Sequence, residues 1–167
     1  MQQKSANEAR QQALWMSDQC LGRRIARLHR LVSRRFDTEL REYGLTLPQL
    51  EVLSELAVFG APARPSEIAG WLGLERSTVS RNVDVLTKQG YVHAAATSAT
   101  GRTTRVAVTE AGYRALAEAE PAWRRAQAWI SGAVDPDAAE ALDQWLTALD
   151  LHQQNTRHTP DGQAGEV

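Results

Sequence analysis

Between Pro65 and Gly112 the sequence PSEIAGWLGLERSTVSRNVDVLTKQGYVHAAATSATGRTTRVAVTEAG carries a pattern that few folds accept. Pro65 opens a short helix whose inward positions are Ile68, Ala69 and Leu72, and Gly73 bends the chain within WLGLE. A second helix begins near Glu75 to Ser77 and runs to Gln89, with Gly90 as its stop. Val79, Val83 and Leu86 form its buried stripe, so Ser77, Thr78, Arg81, Asp84 and Lys88 lie on other faces. Tyr91–His93 and Arg105–Val108 then read as two short strands around the small polar segment AAATSATGRTT.

Helix, glycine turn, helix and ribbon in that order predict a winged helix-turn-helix. In such an element the first turns of the second helix enter the major groove of DNA, where Arg favours guanine and Asn favours adenine. Arg76, Ser77, Thr78, Ser80, Arg81 and Asn82 stand there, and Lys88 follows nearer the helix end. Arg102, Thr103 and Arg105 lie on the ribbon. An arginine at the tip of a hairpin suits the negative potential of a minor groove. The charge supports this placing even though the formal net charge is only -1. Residues 64–108 hold six Lys/Arg against three Asp/Glu, whereas residues 109–167 hold four against ten.

The rest of the chain reads as helical scaffold. Leu14, Leu21, Ile25, Leu28, Val32, Phe36 and Leu40 recur as one continuous helical stripe of about seven turns, too long for a chain of this size without a partner surface. Arg23, Arg24, Arg27, Arg30, Arg34 and Arg35 crowd its other faces. Gly44 ends that helix, and the next starts at Thr46, with Gln49 completing a capping box and Leu45 and Leu50 a hydrophobic staple. Thr109 caps a further helix that Pro121 breaks or kinks. Asp135 and Pro136 start a last one, with Leu142, Trp145, Leu146 and Leu149 inward. The expected fold is mainly α (α+β): a winged helix-turn-helix with a two-stranded wing, and long N- and C-terminal helices forming a dimerisation lobe. The expected division is a flexible extension over 1–12, an N-terminal dimerisation helix over 13–43, a DNA-binding lobe over 44–112, C-terminal dimerisation helices over 113–152, and a disordered tail over 153–167.

Several function classes find no support. Cys20 is the only cysteine and the four histidines show no ligand spacing, so no metal site or cofactor is expected. Paired carboxylates, a Ser-His-Asp constellation and a Gly-rich phosphate loop are all missing from the pattern, and the chain reads as a non-enzyme. No apolar run of membrane-spanning length and no export signal is visible, so a cytoplasmic protein is expected. A winged helix used only to bind other proteins would present apolar anchors where this one offers Ser, Thr, Arg and Lys.

Taken together, LTLPQLEVL, PSEIAGWLGLERSTVSRNVDVLTKQGYV and RTTRVAVTEAG resemble the MarR family of transcriptional regulators over roughly residues 14–152. The resemblance implies a homodimer whose first and last helices interlock, two winged lobes on a pseudo-palindrome of double-stranded DNA, and repression relieved by a small anionic or phenolic effector. It places Ser77, Thr78, Arg81 and Asn82 on the recognition helix and Arg102 at the wing. The family's wing usually has an acidic residue two positions before that arginine; here Thr100 stands there. For the effector, Trp15 and Glu51 sit near places that urate-responsive members use, with Arg27 or Arg30 available as an anion partner. Some members sense peroxide through a cysteine in the first helix. Cys20 offers that alternative, although it lies about two residues out of register and Phe36 and Leu47 replace the tyrosines of those sensors.

Overall fold

The computed structural model describes residues 2–95 and 105–157, with side chains placed for residues 6–95 and 105–152. In chain order the elements are α1 (Gln2–Gln19), α2 (Leu21–Leu40), a 3-10 turn (Arg41–Tyr43), α3 (Leu47–Phe59), α4 (Pro65–Leu72), α5 (Arg76–Lys88), β1 (Val92–Ala95), β2 (Arg105–Val108), α6 (Glu110–Ser131) and α7 (Ala138–Arg157). They form two compact units, residues 1–127 and 128–167.

In the first unit, α3, α4, α5 and the ribbon enclose the core. Leu40, Val52, Leu53, Leu56, Ile68, Val79, Leu86 and Val92 are fully buried, and no charged or polar side chain among the described residues joins them. The helix starts are fixed by polar contacts at their ends. The Gln49 side chain accepts a bond of 3.0 Å from the Thr46 N–H, and the Asp37 carboxylate accepts one of 2.8 Å from the Leu47 N–H. Between α4 and α5 the turn needs Gly73, whose φ of 63° is left-handed and whose N–H reaches back to the last carbonyls of α4.

β1 and β2 pair antiparallel with Val92 opposite Val108 and Ala95 opposite Arg105. A third piece of backbone joins them: Ala63, in the α3–α4 loop, exchanges bonds of 3.0 and 2.8 Å with Val106. This single-residue bridge has no sequence pattern of its own, and it fixes the base of the ribbon against the helices.

Two helical expectations change. The continuous N-terminal stripe is interrupted at Cys20, which takes an extended conformation and becomes the N-cap of α2. Its Sγ accepts a bond of 3.4 Å from the Arg23 N–H, while the Arg23 and Arg24 guanidiniums donate to the carbonyls of Ser17 and Asp18 at the end of α1. The interruption is therefore capped from both sides, with basic groups at a helix C-terminus where the macrodipole favours them. The polar residues ahead of Leu14 are helical from Gln2.

Pro121 neither breaks nor ends α6. Ala115, Ala119, Ala122 and Ala126 are buried at spacings of four, three and four, so a row of small side chains seats the helix along its length. Ala117, whose carbonyl loses its bond to the proline, lies exposed, where solvent can satisfy it.

Within the second unit, α7 begins at Ala138, after a turn in which Asp135 accepts from the Asp137 N–H at 2.9 Å. It leaves Leu142, Trp145, Leu146 and Leu149 exposed rather than buried, between 44 and 62%. The helix reaches Arg157.

Candidate nucleic-acid interface

α5 is held by one face only. Val79, Val83 and Leu86 are at most 5% exposed, which locks its rotation about its own axis. The opposite side then presents Ser77 and Arg81 to solvent, Arg76 is exposed in the first turn, and Thr78, Ser80 and Asn82 are half-buried along the margin. Arg81 Nε donates 3.1 Å to the Ser77 carbonyl and Asn82 Nδ2 donates 3.1 Å to the Thr78 carbonyl. Both side chains are thus folded back along their own helix. The Arg81 bond is exposed and replaceable by water or by a base edge at little cost, whereas the Asn82 bond is part-buried. The first turn of α5 contains no acidic residue, although Glu75 stands at its N-cap without a side-chain capping bond, so its carboxylate answers part of the positive charge at the helix start.

Two of the sequence-expected contacts stand apart. Lys88 occupies the last turn of α5, about 18 Å along the axis from Arg76, where it complements the negative end of the helix rather than the reading end. Arg105 points to the base of the wing: its Nη1 donates 2.8 Å to the Pro62 carbonyl and 3.4 Å to Glu67 Oε2. Glu67 Oε2 also accepts from the Arg64 N–H at 2.7 Å, so Arg105 braces β2 against the start of α4. Arg102, Thr103 and Thr100 lie outside the described residues.

The four residues expected around an effector do not come together. Glu51 borders a crevice of about 510 Å³ between α2, α3 and α6, with His29, Val32, Phe36, Leu47, Leu50, Ser54, Leu116, Glu120 and Trp123 as its other walls. Arg27 lines a different depression at the α1–α2 elbow, beside Leu14, Ser17, Asp18, Arg23 and Arg24. Trp15 is 68% exposed on α1, and Arg30 is exposed on α2. His29 and Trp123 are the members that residue patterns missed, because a lone histidine and one of five tryptophans on separate helices share no spacing. Trp123 meets Phe36 with ring centroids 6.5 Å apart.

Charge around this crevice is uneven. Glu51 is exposed as a whole residue, but partial desolvation of its carboxyl by the crevice walls pushes it above the ordinary carboxylate value, and the nearby His29 only partly offsets this. At the adjoining α2–α6 contact the order is reversed. A hydrogen bond from Arg125 of 2.7 Å, aided by Arg35, holds Glu39 below the ordinary value, and Arg125 also reaches Glu42 at 3.1 Å.

Cys20 is a free, exposed cysteine at the α1–α2 elbow. Among the described residues no cluster of three His, Cys, Asp or Glu could hold a metal ion, and no helix is long and apolar enough to cross a membrane.

Residues 43–103 match the sequence model of the MarR family. The fold matches that of the Mycobacterium tuberculosis transcriptional regulator MosR with a TM-score of 0.70 at 28% identity, over 81% of this chain and 98% of that one. The same regulator in complex with DNA matches with a TM-score of 0.68 at 30% identity, over 80% and 98% of the two chains. CouR from Rhodococcus jostii RHA1, bound to p-coumaroyl-CoA, shares the fold with a TM-score of 0.66 at 20% identity, over 79% and 92%. No curated protein sequence matches the chain.

Proposed function

Because this chain belongs to the MarR family of transcriptional regulators, we propose that it works as a homodimer that reads a pseudo-palindromic operator and is released from it by a small molecule. The observation that carries the reading is α5. One face of this helix is fixed in the core, the other offers Arg76, Ser77 and Arg81 to solvent, a glycine turn precedes it and a ribbon follows it. The relative that shares 30% identity was crystallised with DNA, which supports carrying this role over.

Dimerisation is supported by apolar surface that one chain leaves open. Leu14, Trp15 and Met16 on α1 and Leu21 and Ile25 on α2 are each more than half exposed. In the second unit α7 does the same with Trp145, Leu146 and Leu149. Faces of this kind on helices this long are covered in a second copy rather than left to water. With two copies joined, each α5 enters one of two successive major grooves about 34 Å apart.

Release follows if an effector binds better to a dimer whose lobe separation does not fit DNA. The crevice between α2, α3 and α6 suits this role, since α2 belongs to the dimer helices and α3 packs on α5. Sedimentation of the protein with and without an operator duplex tests the reading. Two chains per duplex and a dimer in free solution are expected; a monomer that binds one to one contradicts it.

A further inference from the structure

The α2–α3–α6 crevice has walls of two kinds. Val32, Phe36, Leu47, Leu50, Leu116 and Trp123 supply an apolar and aromatic lining. Its volume of about 510 Å³ is that of a site for a small organic molecule. The charged groups in that lining are Glu51 and Glu120, with His29 as the one basic neighbour, and among the described residues neither Lys nor Arg borders the space.

The two carboxylates are not equivalent. Glu120 is already ion-paired with Arg124 one turn along α6, so its charge is largely answered. Among the described residues, nothing hydrogen-bonds or ion-pairs with the Glu51 carboxylate, and its one electrostatic neighbour is His29. His29 in turn lies 3.5 Å from the Ser33 hydroxyl. Within one chain, an anionic guest would therefore enter without a fixed cation to meet it and beside a carboxylate that repels it. A cationic guest would gain an ion pair with Glu51 and could set its charge against the face of Trp123.

We propose that the effector of this protein is a protonated aromatic amine, its ring against the Phe36–Trp123 wall and its ammonium on Glu51. This rests on the reading of the crevice as the effector site, and it reverses the charge that family resemblance implies for the ligand. The Arg27 depression at the α1–α2 elbow does not supply the missing cation, because Arg27 does not border this crevice.

Three probes with one indole body and different charge test it on the full-length protein: tryptamine, the neutral alcohol tryptophol, and indole-3-acetate. Calorimetric titration is expected to give tryptamine at least about tenfold tighter binding than indole-3-acetate, with tryptophol between them. Glu51→Gln should erase the preference for tryptamine over tryptophol and indole-3-acetate, and an unchanged circular-dichroism spectrum shows that the variant is folded. Equal or tighter binding of indole-3-acetate overturns the proposal. So does a preference that survives Glu51→Gln, or no binding of any of the three at about 10 mM, where a millimolar site would already be mostly filled. Operator release, read separately by DNA anisotropy, keeps the two readings apart. Tryptamine that binds through Glu51 without weakening DNA binding upholds the charge assignment and removes the release mechanism.

Discussion

The side-chain amide of Gln89 donates a hydrogen bond of 2.9 Å to the carbonyl of Gly44. Gln89 caps the C-terminal end of α5, and Gly44 is the left-handed residue that closes the 3-10 turn after α2. The C-terminal end of α5 is therefore tied to the turn that follows α2. A second tie lies beside it, where the Thr109 hydroxyl that caps α6 donates 2.6 Å to the Gly90 carbonyl. Replacing Gln89 by Ala removes one exposed hydrogen bond, expected to cost about 0.5 kcal/mol. A lower urea midpoint with an unchanged slope is the expected result. An unchanged midpoint would show that the bond contributes nothing.

Arg81 is the strongest candidate for base reading, because it is exposed on the face of α5 opposite Val79 and Val83. Arg81→Ala should lose about 1–3 kcal/mol on the preferred site and much less on a duplex altered at the contacted base pair. Equal losses on both duplexes would reduce it to a phosphate contact. Arg105→Ala differs in kind. It removes the brace to Pro62 and Glu67, so a loss of stability should accompany any loss of affinity.

Glu51 and Glu39 should move stability in opposite directions with pH. The raised value of Glu51 means that its charged form is disfavoured on folding. Because Glu51 is exposed and solvent screens its charge, Glu51→Gln is expected to raise the melting temperature at neutral pH only slightly. That gain should vanish as pH falls through the folded-state value of Glu51 to below its unfolded one, where the wild-type carboxyl is also neutral. Groups facing it are His29 from α2 and Glu120 from α6. Glu39, held low by Arg125 and Arg35, contributes stability above its unfolded value that is lost as pH falls through its folded one. Glu39→Gln should thus lower the melting temperature at neutral pH and converge with wild type in acid. Melting curves at several pH values check both signs.

α5 was legible because its information is local. The spacing of Val79, Val83 and Leu86 fixes the buried side of α5, and Gly73 and Gly90 mark its limits within two or three residues. The interruption at Cys20 was not, since Leu14 and Leu21 lie seven apart whether or not the helix is broken between them. What decides it is a thiol accepting one N–H and two guanidiniums reaching back to carbonyls, none of which alters the apolar period. The half of the Pro121 reading that has the helix break there fails, because propensity describes an isolated helix and the buried alanine row keeps α6 continuous through it. The crevice was half visible. Glu51 could be singled out, but His29 and Trp123 join it only through the packing of three helices distant in sequence.

Selection of bound duplexes from a random pool tests most directly the claim that two copies of α5 read DNA together. The expected outcome is an inverted repeat whose half-site centres lie one helical turn, roughly 10 base pairs, apart. Enrichment of a single half-site, or of no sequence at all, would contradict it.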